Sequence, residues 1–171
     1  NTTALTVAKM SSAVNVTANN IKFGEEAVIN IAVPNVSLGV ATVVVNGKSY
    51  NVAIVDEKGV LNIYNLAAGD YNVDVTYLGD NKYLSSTNAA NFTVSKVSDY
   101  NMTVDIADIV KGENATITVT IPEDGTGSVI VTINGTDYKG TVIKGIAKVI
   151  IPDLDEGTYK VVTFYTGDNK Y

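Results

Sequence analysis

Apolar and polar residues alternate along much of the chain with the two-residue period of a β-strand. In residues 115–121 every second position is apolar and the positions between them are threonines, and residues 27–33 keep the same apolar positions. Both segments run into a proline, Pro34 or Pro122, which has no amide hydrogen to offer to a neighbouring strand. The pattern therefore predicts two equivalent, half-buried strands that end at the prolines.

Asn-Gly dipeptides mark the first predicted hairpin of each half of the chain, at Asn46-Gly47 and at Asn134-Gly135. Valine-rich segments precede both dipeptides, and a segment that carries a tyrosine follows each of them. Asn-Gly tolerates positive φ at both central positions of a two-residue turn, so it is a strong hairpin signal.

A second turn is predicted around Gly59 in the first half and around Gly145 in the second. When the halves are aligned, the two glycines differ by two positions, so we expect the length of this loop to differ between the halves. A strand follows each turn, at residues 60–64 and 147–151.

A Leu-x-x-Gly-x-Tyr motif comes next and ends at Tyr71 or Tyr159. The motif resembles a tyrosine corner, in which the hydroxyl binds upstream backbone, and a plain core aromatic is an equal alternative. A further apolar strand follows, and Phe92 and Val94 mark a closing strand. With about seven short strands in the full unit and no helical period, the pattern predicts an all-β, Ig-like sandwich.

The chain contains an internal repeat. The segment Gly-Asp-Asn-Lys-Tyr occurs twice, 88 residues apart, and a gapless alignment of the two halves gives 23 identities in 70 pairs. A period of this length suits a domain with its own core better than a solenoid unit of about 20–50 residues. The chain is therefore predicted to be two tandem Ig-like domains, residues 1–96 and 97–171.

The ends of the chain are out of phase with this repeat. Residues 1–9 align with residues 88–96, so residues 1–8 are equivalent to the closing strand of a preceding repeat. No counterpart of Phe92 and Val94 follows in the second domain, which we expect to lack its closing strand. Either the chain is a window from a longer covalent array, or one molecule completes the next head to tail. The candidate donor-strand residues are Thr2, Ala4, Leu5 and Val7.

Composition removes several classes of function. The sequence has no Cys and no His, so disulfides, thiol chemistry and ordinary zinc sites are excluded, and the usual near-neutral general base is missing. The net charge of −6 repels a nucleic-acid backbone. Polar residues interrupt every apolar run before the roughly 18 residues of a membrane span. We expect no enzyme activity, no cofactor, no metal, no nucleic-acid partner and no membrane insertion.

A family resemblance rests on the second half, which reads NATITVTIP…GSVIVTINGTDY…IIPDLDEGTYKVVTFYTGDNKY. Both halves show its order of motifs, which resembles the Ig-like repeats of archaeal adhesin-like surface proteins, particularly of methanogens, and of related bacterial families. The resemblance implies an extracellular, cell-surface stalk, adhesin or fibre unit without catalytic residues, whose partners are neighbouring Ig-like repeats in cis or head to tail in trans. The alternative is an adhesive module for glycan or a partner cell surface.

The acceptor motif for N-glycosylation, Asn-x-Ser/Thr, occurs seven times, whereas composition alone predicts about three occurrences. The excess favours a secreted glycoprotein, although strands rich in Asn and Thr also generate the motif incidentally. The candidate sites are Asn1, Asn15, Asn35, Asn91, Asn101, Asn114 and Asn134.

Two other motifs have a functional and a plain explanation. The repeated loop places Asp80 or Asp168 beside an amide, which suggests calcium, but calcium takes about six to eight oxygen ligands and a simple turn is favoured. Lys9 and Lys96 hold matching positions after a Thr-Val segment. A cross-link from lysine to asparagine is one hypothesis for them, and a solvated lysine is the preferred one.

Overall fold

The structure, a computed structural model, describes residues 2–171 and is all-β in that range. The chain divides into two compact units, Asn1–Ser95 and Lys96–Tyr171. No helix in the described part of the chain is long and apolar enough to cross a membrane.

The first unit contains eight strands in the order β1-β3-β6-β5-β4-β7-β8-β2. A single residue pair, Val55 with Lys58, joins β5 to β6 at a tight turn, so the ladder folds over into two layers around one core. The strands are β1 Asn15–Ala18, β2 Ile21–Lys22, β3 Ala27–Ala32, β4 Leu38–Val45, β5 Lys48–Val55, β6 Lys58–Ile63, β7 Gly69–Tyr77 and β8 Ser86–Ser95.

The second unit contains six strands in two three-stranded sheets, ordered β13-β10-β9 and β12-β11-β14. Side chains from both sheets share one core, so the prediction of an all-β sandwich is confirmed for the unit. The strands are β9 Thr103–Ile106, β10 Ala115–Thr120, β11 Ser128–Ile133, β12 Thr136–Thr141, β13 Ile146–Ile151 and β14 Val161–Tyr165.

The alternating segments bury the side chains that the sequence pattern indicates. Ile29 and Ile117, which are aligned positions of the repeat, are both fully buried at the centres of β3 and β10. Full burial of such a side chain contributes about 1.5–3 kcal/mol, so each unit draws its stability mainly from these inward positions. Both strands end before their prolines, as predicted.

The turns confirm one prediction and correct another. Asn46, Gly47, Asn134 and Gly135 all have positive φ, as a two-residue hairpin turn of Asn-Gly requires. The second turn lies at residues 56–57 and 144–145, which are aligned positions with positive φ in both units. The prediction of unequal loop lengths is therefore wrong.

Gly59 misled that prediction because it lies inside β6 rather than in the turn. A Cβ on Gly59 would come within 2.8 Å of Ile54 Cδ1, so this glycine permits close packing in the core. The turn itself is made by Asp56 and Glu57, which adopt the left-handed conformation without glycine.

The tyrosine-corner interpretation is confirmed in both units. The Tyr71 hydroxyl donates a hydrogen bond of 2.9 Å to the main-chain oxygen of Ala67, and the Tyr159 hydroxyl donates one of 2.8 Å to that of Asp155. Each bond spans four residues. It ties Tyr71, near the start of β7, or Tyr159, just before β14, to the segment upstream.

Candidate functional site: a strand groove in the second unit

The closing strand of the first unit, β8, fills the space between two neighbours. It forms nine antiparallel residue pairs with β7 and two parallel pairs with β2. Phe92 and Val94 point inward from β8 and are 2% exposed. Phe92 also stacks on the ring of Tyr71, with 5.1 Å between the centroids. This strand therefore completes both the ladder and the core of its unit.

In the second unit the matching place is an open groove. Among residues 2–171, β14 pairs with β11 and with no other strand. A groove of about 550 Å³ lies beside it, lined on its apolar side by Ile109, Ala115, Ile117, Ile133, Tyr159 and Val161. Their aligned counterparts in the first unit are Ile21, Ala27, Ile29, Val45, Tyr71 and Val73, all part of the core that contains Phe92 and Val94. The groove thus has the lining of a closing-strand site.

The strand at the edge of this groove is shorter than its counterpart. β7 begins at Gly69, whereas β14 begins at Val161 instead of at Gly157, the aligned position. The first four residues of β7 pair in the sheet only with β8, because β4 begins its pairing at Val73. Without a closing strand, residues 157–160 have no ladder to join, so β14 is truncated by those four residues.

The candidate donor residues lie in an exposed segment at the start of the first unit. Residues 2–9 form no strand and are exposed, Thr2 and Ala4 included. Leu5 and Val7 expose 89% and 86% of their surface, which is unusual for aliphatic side chains spaced like the inward residues of a strand.

Met10 binds the repeated loop of its own unit through main-chain hydrogen bonds. The Met10 amide donates a hydrogen bond of 2.8 Å to the Lys82 main-chain oxygen, and the Met10 oxygen accepts one of 2.8 Å from the Leu84 amide. In the second unit the Val97 amide donates a bond of 2.7 Å to the Lys170 oxygen, which is the same contact at aligned positions. The repeated loop is thus a docking point for the chain segment that follows a closing strand.

Local hydrogen bonds close the Gly-Asp-Asn-Lys-Tyr loop in both units, in agreement with the turn interpretation. Asp80 Oδ1 accepts from the amides of Lys82 and Tyr83 at 2.7 and 2.6 Å, and Asp168 Oδ1 accepts from the aligned amides at 2.8 Å each. The amides of Tyr83 and Lys82 lower the pKa of Asp80. No group of three or more acidic side chains in residues 2–171 is arranged to hold a metal ion.

Asp168 has additional partners that the sequence pattern does not reveal. Its Oδ2 accepts hydrogen bonds of 2.8 and 2.9 Å from the amide and hydroxyl of Thr126, a residue 42 positions away. Burial pushes the pKa of Asp168 upward, but the amides of Tyr171, Thr126 and Lys170 outweigh it and hold that pKa far below the ordinary carboxyl value. Burial and the nearby Asp168 charge raise the pKa of Tyr165 to about 12.

The second loop is also fastened by an ion pair. Lys170 Nζ lies 2.5 Å from Asp124 Oδ2, and the Tyr171 hydroxyl donates a hydrogen bond of 2.6 Å to Asp124 Oδ1. Val36 stands at the aligned position of the first unit, so this arrangement is specific to the second. No local motif could have indicated it, since the partners are 46 positions apart.

The structure gives no support to a cross-link at Lys96. Its Nζ donates hydrogen bonds to the main-chain oxygens of Asp168 and Tyr171. These acceptors are carbonyl groups of the repeated loop and not an asparagine side chain. The lysine therefore holds the loop in place instead of being poised for an amide bond.

Six of the seven candidate glycosylation sites are exposed on the surface, and the seventh, Asn1, lies outside the described residues. Asn15 and Asn91 lie on β1 and β8, whereas Asn35 and Asn134 lie in turns and have positive φ. Each of the six is sterically open to a modifying enzyme at the asparagine itself.

No protein-family model and no curated protein sequence matches the chain. Among solved structures, it is similar to one described as “Structural insight into host cell surface retention of a 1.5-MDa bacterial ice-binding adhesin”, with 15% identity and a TM-score of 0.38, over 92% of this chain and 63% of that one. Fibronectin(III)-like modules of Clostridium thermocellum CbhA match at 15% identity and a TM-score of 0.41, over 92% of this chain and 87% of theirs.

A third similar structure is Bacteroides ovatus SGBP-B, from a mixed-linkage glucan utilization locus, in complex with a mixed-linkage heptasaccharide. It matches at 17% identity and a TM-score of 0.38, over 88% of this chain and 40% of that one. Values this low assign neither a ligand nor a role to this chain.

Proposed function

We propose that the chain is a non-enzymatic structural repeat unit of an extracellular, cell-surface stalk, adhesin or fibre. The observation that carries the proposal is the equivalence of the two units in turn length and loop structure. Both two-residue turns, the tyrosine corner and the Gly-Asp-Asn-Lys-Tyr loop occupy aligned positions. The repeated residues lie in the core and in the turns, and neither unit has an enlarged loop. These are the properties of a spacer module.

The physical properties of the units support this role. Each unit has its own apolar core, so neither depends on the other for burial of its inward side chains. The sequence contains no cysteine, so the stability of the two units does not depend on disulfide bonds. The excess of glycosylation motifs favours an exposed location outside the cell.

One observation favours the alternative of an adhesive module. Val162 and Phe164 lie on the outer face of β14 and are 49% and 62% exposed. Their aligned residues in the first unit are the polar Asp74 and Thr76. An exposed aromatic ring on a sheet is a surface on which a sugar ring or an apolar partner can stack.

Single-molecule force spectroscopy tests the proposal on a covalent concatemer of the chain. We expect two separate unfolding events per chain, each releasing about 3.3–3.6 Å per residue of its unit. The same protein should bind no immobilised glycan in a saturable manner. Saturable glycan binding that Phe164→Ala abolishes and Thr76→Ala leaves intact would instead establish the adhesive alternative.

A further inference from the structure

We infer that two parallel segments of the first unit, residues 10–23 and residues 83–95, form a mechanical clamp that resists stretching of the chain. The inference rests on the proposed function, because a stalk or fibre unit connects two attachment points and is pulled along the chain from both sides. It adds a mechanical task to that function and assigns the task to particular hydrogen bonds. The two segments together are called the parallel seam below.

The two segments of the seam keep one register along their length. An isolated parallel bridge pairs Met10 with Tyr83 at one end, and β2 pairs with β8 in parallel at the other, where Ile21 lies opposite Val94. The separation along the chain is 73 positions at both ends. Because this separation is constant, neither segment has an insertion relative to the other.

Polar side chains continue the register between these ends, where the described residues form no main-chain pair across the seam. The Ser12 hydroxyl donates a hydrogen bond of 2.7 Å to the main-chain oxygen of Leu84. The Asn88 side-chain amide donates one of 2.9 Å to the main-chain oxygen of Val14, and this bond is partly buried. The Val14 side chain is 3% exposed, so it anchors the segment in the core beside the bond.

The hydrogen bonds are more closely spaced at the β2 end of the seam. Asn20 Oδ1 accepts a bond of 2.8 Å from the Thr93 amide. The Ser95 hydroxyl donates one of 3.1 Å to the Ile21 oxygen, and the Phe23 amide donates one of 2.9 Å to the Ser95 oxygen. Side-chain and main-chain bonds therefore join the two segments at intervals from one end of the seam to the other.

The parallel direction of the segments decides how a pull on the chain acts on these bonds. A stretching force enters the first unit ahead of Met10 and leaves it after Ser95. Because the segments are parallel, these two residues lie at opposite ends of the seam, so the force slides one segment along the other. All bonds along the seam are then strained together, and the rate of forced unfolding depends on the barrier to breaking them.

The rest of the first unit holds the two segments unequally. β8 forms nine antiparallel pairs with β7, whereas β1 forms four with β3. The N-terminal segment is therefore the more weakly attached of the two. Its bonds across the seam are the additional attachment that the sliding force must break.

Constant-force unfolding of an end-to-end concatemer of the full chain tests the inference with three seam variants, Ser12→Ala, Asn20→Ala and Asn88→Ala. Each should raise the unfolding rate of the first unit about two- to twelve-fold, because each removes one hydrogen bond that sliding must break. The first unit gives the longer extension step, since it contains more residues than the second. Asn20 and Asn88 are exposed and Ser12→Ala removes one oxygen atom, so the variants keep the fold.

Asn46→Gly is the matched control. Asn46 Nδ2 donates a hydrogen bond of 3.2 Å to the Asp70 main-chain oxygen, and Asn46 Oδ1 accepts one of 2.9 Å from the Asn72 amide. The control therefore also loses bonds from a side chain to the main chain, but these lie outside the seam. Glycine tolerates the positive φ of this turn position. The control should change the unfolding rate under force less than any seam variant does.

Unfolding in denaturant separates a mechanical role from a merely structural one, because denaturant imposes no direction on the chain. The seam variants should accelerate unfolding of the first unit less in denaturant than under force. An acceleration of equal size in the two measurements would overturn the inference, and so would seam variants that unfold under force no faster than the control.

These outcomes leave the proposed spacer function untouched. That function requires two unfolding events per chain and no saturable glycan binding, whether or not the seam variants unfold faster. Saturable glycan binding would contradict the spacer function without changing the comparison between the seam variants and Asn46→Gly.

Discussion

The rings of Tyr71 and Phe92 stack nearly in parallel, with 5.1 Å between their centroids and 12° between their planes. Tyr159, the aligned residue of the second unit, keeps its hydroxyl bond to Asp155 but lines an open groove. The tyrosine is therefore held at its place by the corner and not by the closing strand.

Phe92→Ala should destabilise the first unit by about 3–5 kcal/mol, because it removes a fully enclosed ring and leaves a cavity against Tyr71. The second unit has its own core and should unfold as before. Denaturant titration followed by NMR peaks of each unit measures both effects. Asn91→Ala, on the outward face of the same strand, is the control and should change stability by less than about 0.5 kcal/mol.

Tyr71→Phe and Tyr159→Phe should each cost their own unit about 0.5–1.5 kcal/mol, because each removes one hydroxyl bond to a main-chain oxygen. Tyr71→Ala should cost more, since it also removes the ring that packs on Phe92. Equal stability of Tyr71→Phe and the unaltered chain would show that the hydroxyl is dispensable and that only the ring matters. The same denaturant titration provides the values.

The stability of the second unit should fall in acid. The folded state lowers the pKa of Asp168, so the unfolded chain takes up the proton first as the pH falls. The contribution of this carboxylate is complete above the ordinary carboxyl pKa of about 4 and is lost progressively below it. Asp168→Asn should flatten the dependence of the denaturation midpoint on pH in this range. An unchanged slope would contradict the role given to the loop.

Tyr77 and Tyr165 should ionise late. Burial together with Asp80 raises the pKa of Tyr77 to about 12, and burial together with Asp168 does the same for Tyr165. The unfolded chain loses these protons first, near pH 10, so their contribution to stability is lost as the pH rises toward 12. Ultraviolet titration should show a late step that Tyr77→Phe and Tyr165→Phe each reduce.

Native material should be heavier than the bare chain if the exposed Asn-x-Ser/Thr motifs serve as glycosylation sites. Intact-mass analysis, before and after enzymatic removal of N-linked glycans, measures this directly. Asn114 and Asn101, which lie in exposed connections outside the strands, are the sites at which we expect modification first. A mass that enzymatic removal of N-linked glycans leaves unchanged would contradict the expectation.

Much of the fold could be predicted from local patterns. The inward residues of β3 and β10, the Asn-Gly turns and the tyrosine corner all follow from side-chain alternation or from turn chemistry, which act over a few residues. The second turn could not be placed in this way. A glycine is typical of a turn, but the glycine at position 59 is needed because its backbone packs closely against Ile54 across the hairpin. The turn residues are Asp56 and Glu57, which adopt positive φ against their intrinsic preference.

The sequence by itself determined the duplication and the strand pattern, because periodicity and repetition are properties of the chain alone. Only the tertiary structure decided that Thr126 and Asp124 bind residues of the second loop and that the groove has an apolar lining. It also decided that β14 begins four residues later than β7 does in the aligned first unit. These features depend on which strands lie side by side and in which register, and pairing between residues tens of positions apart leaves no local signal.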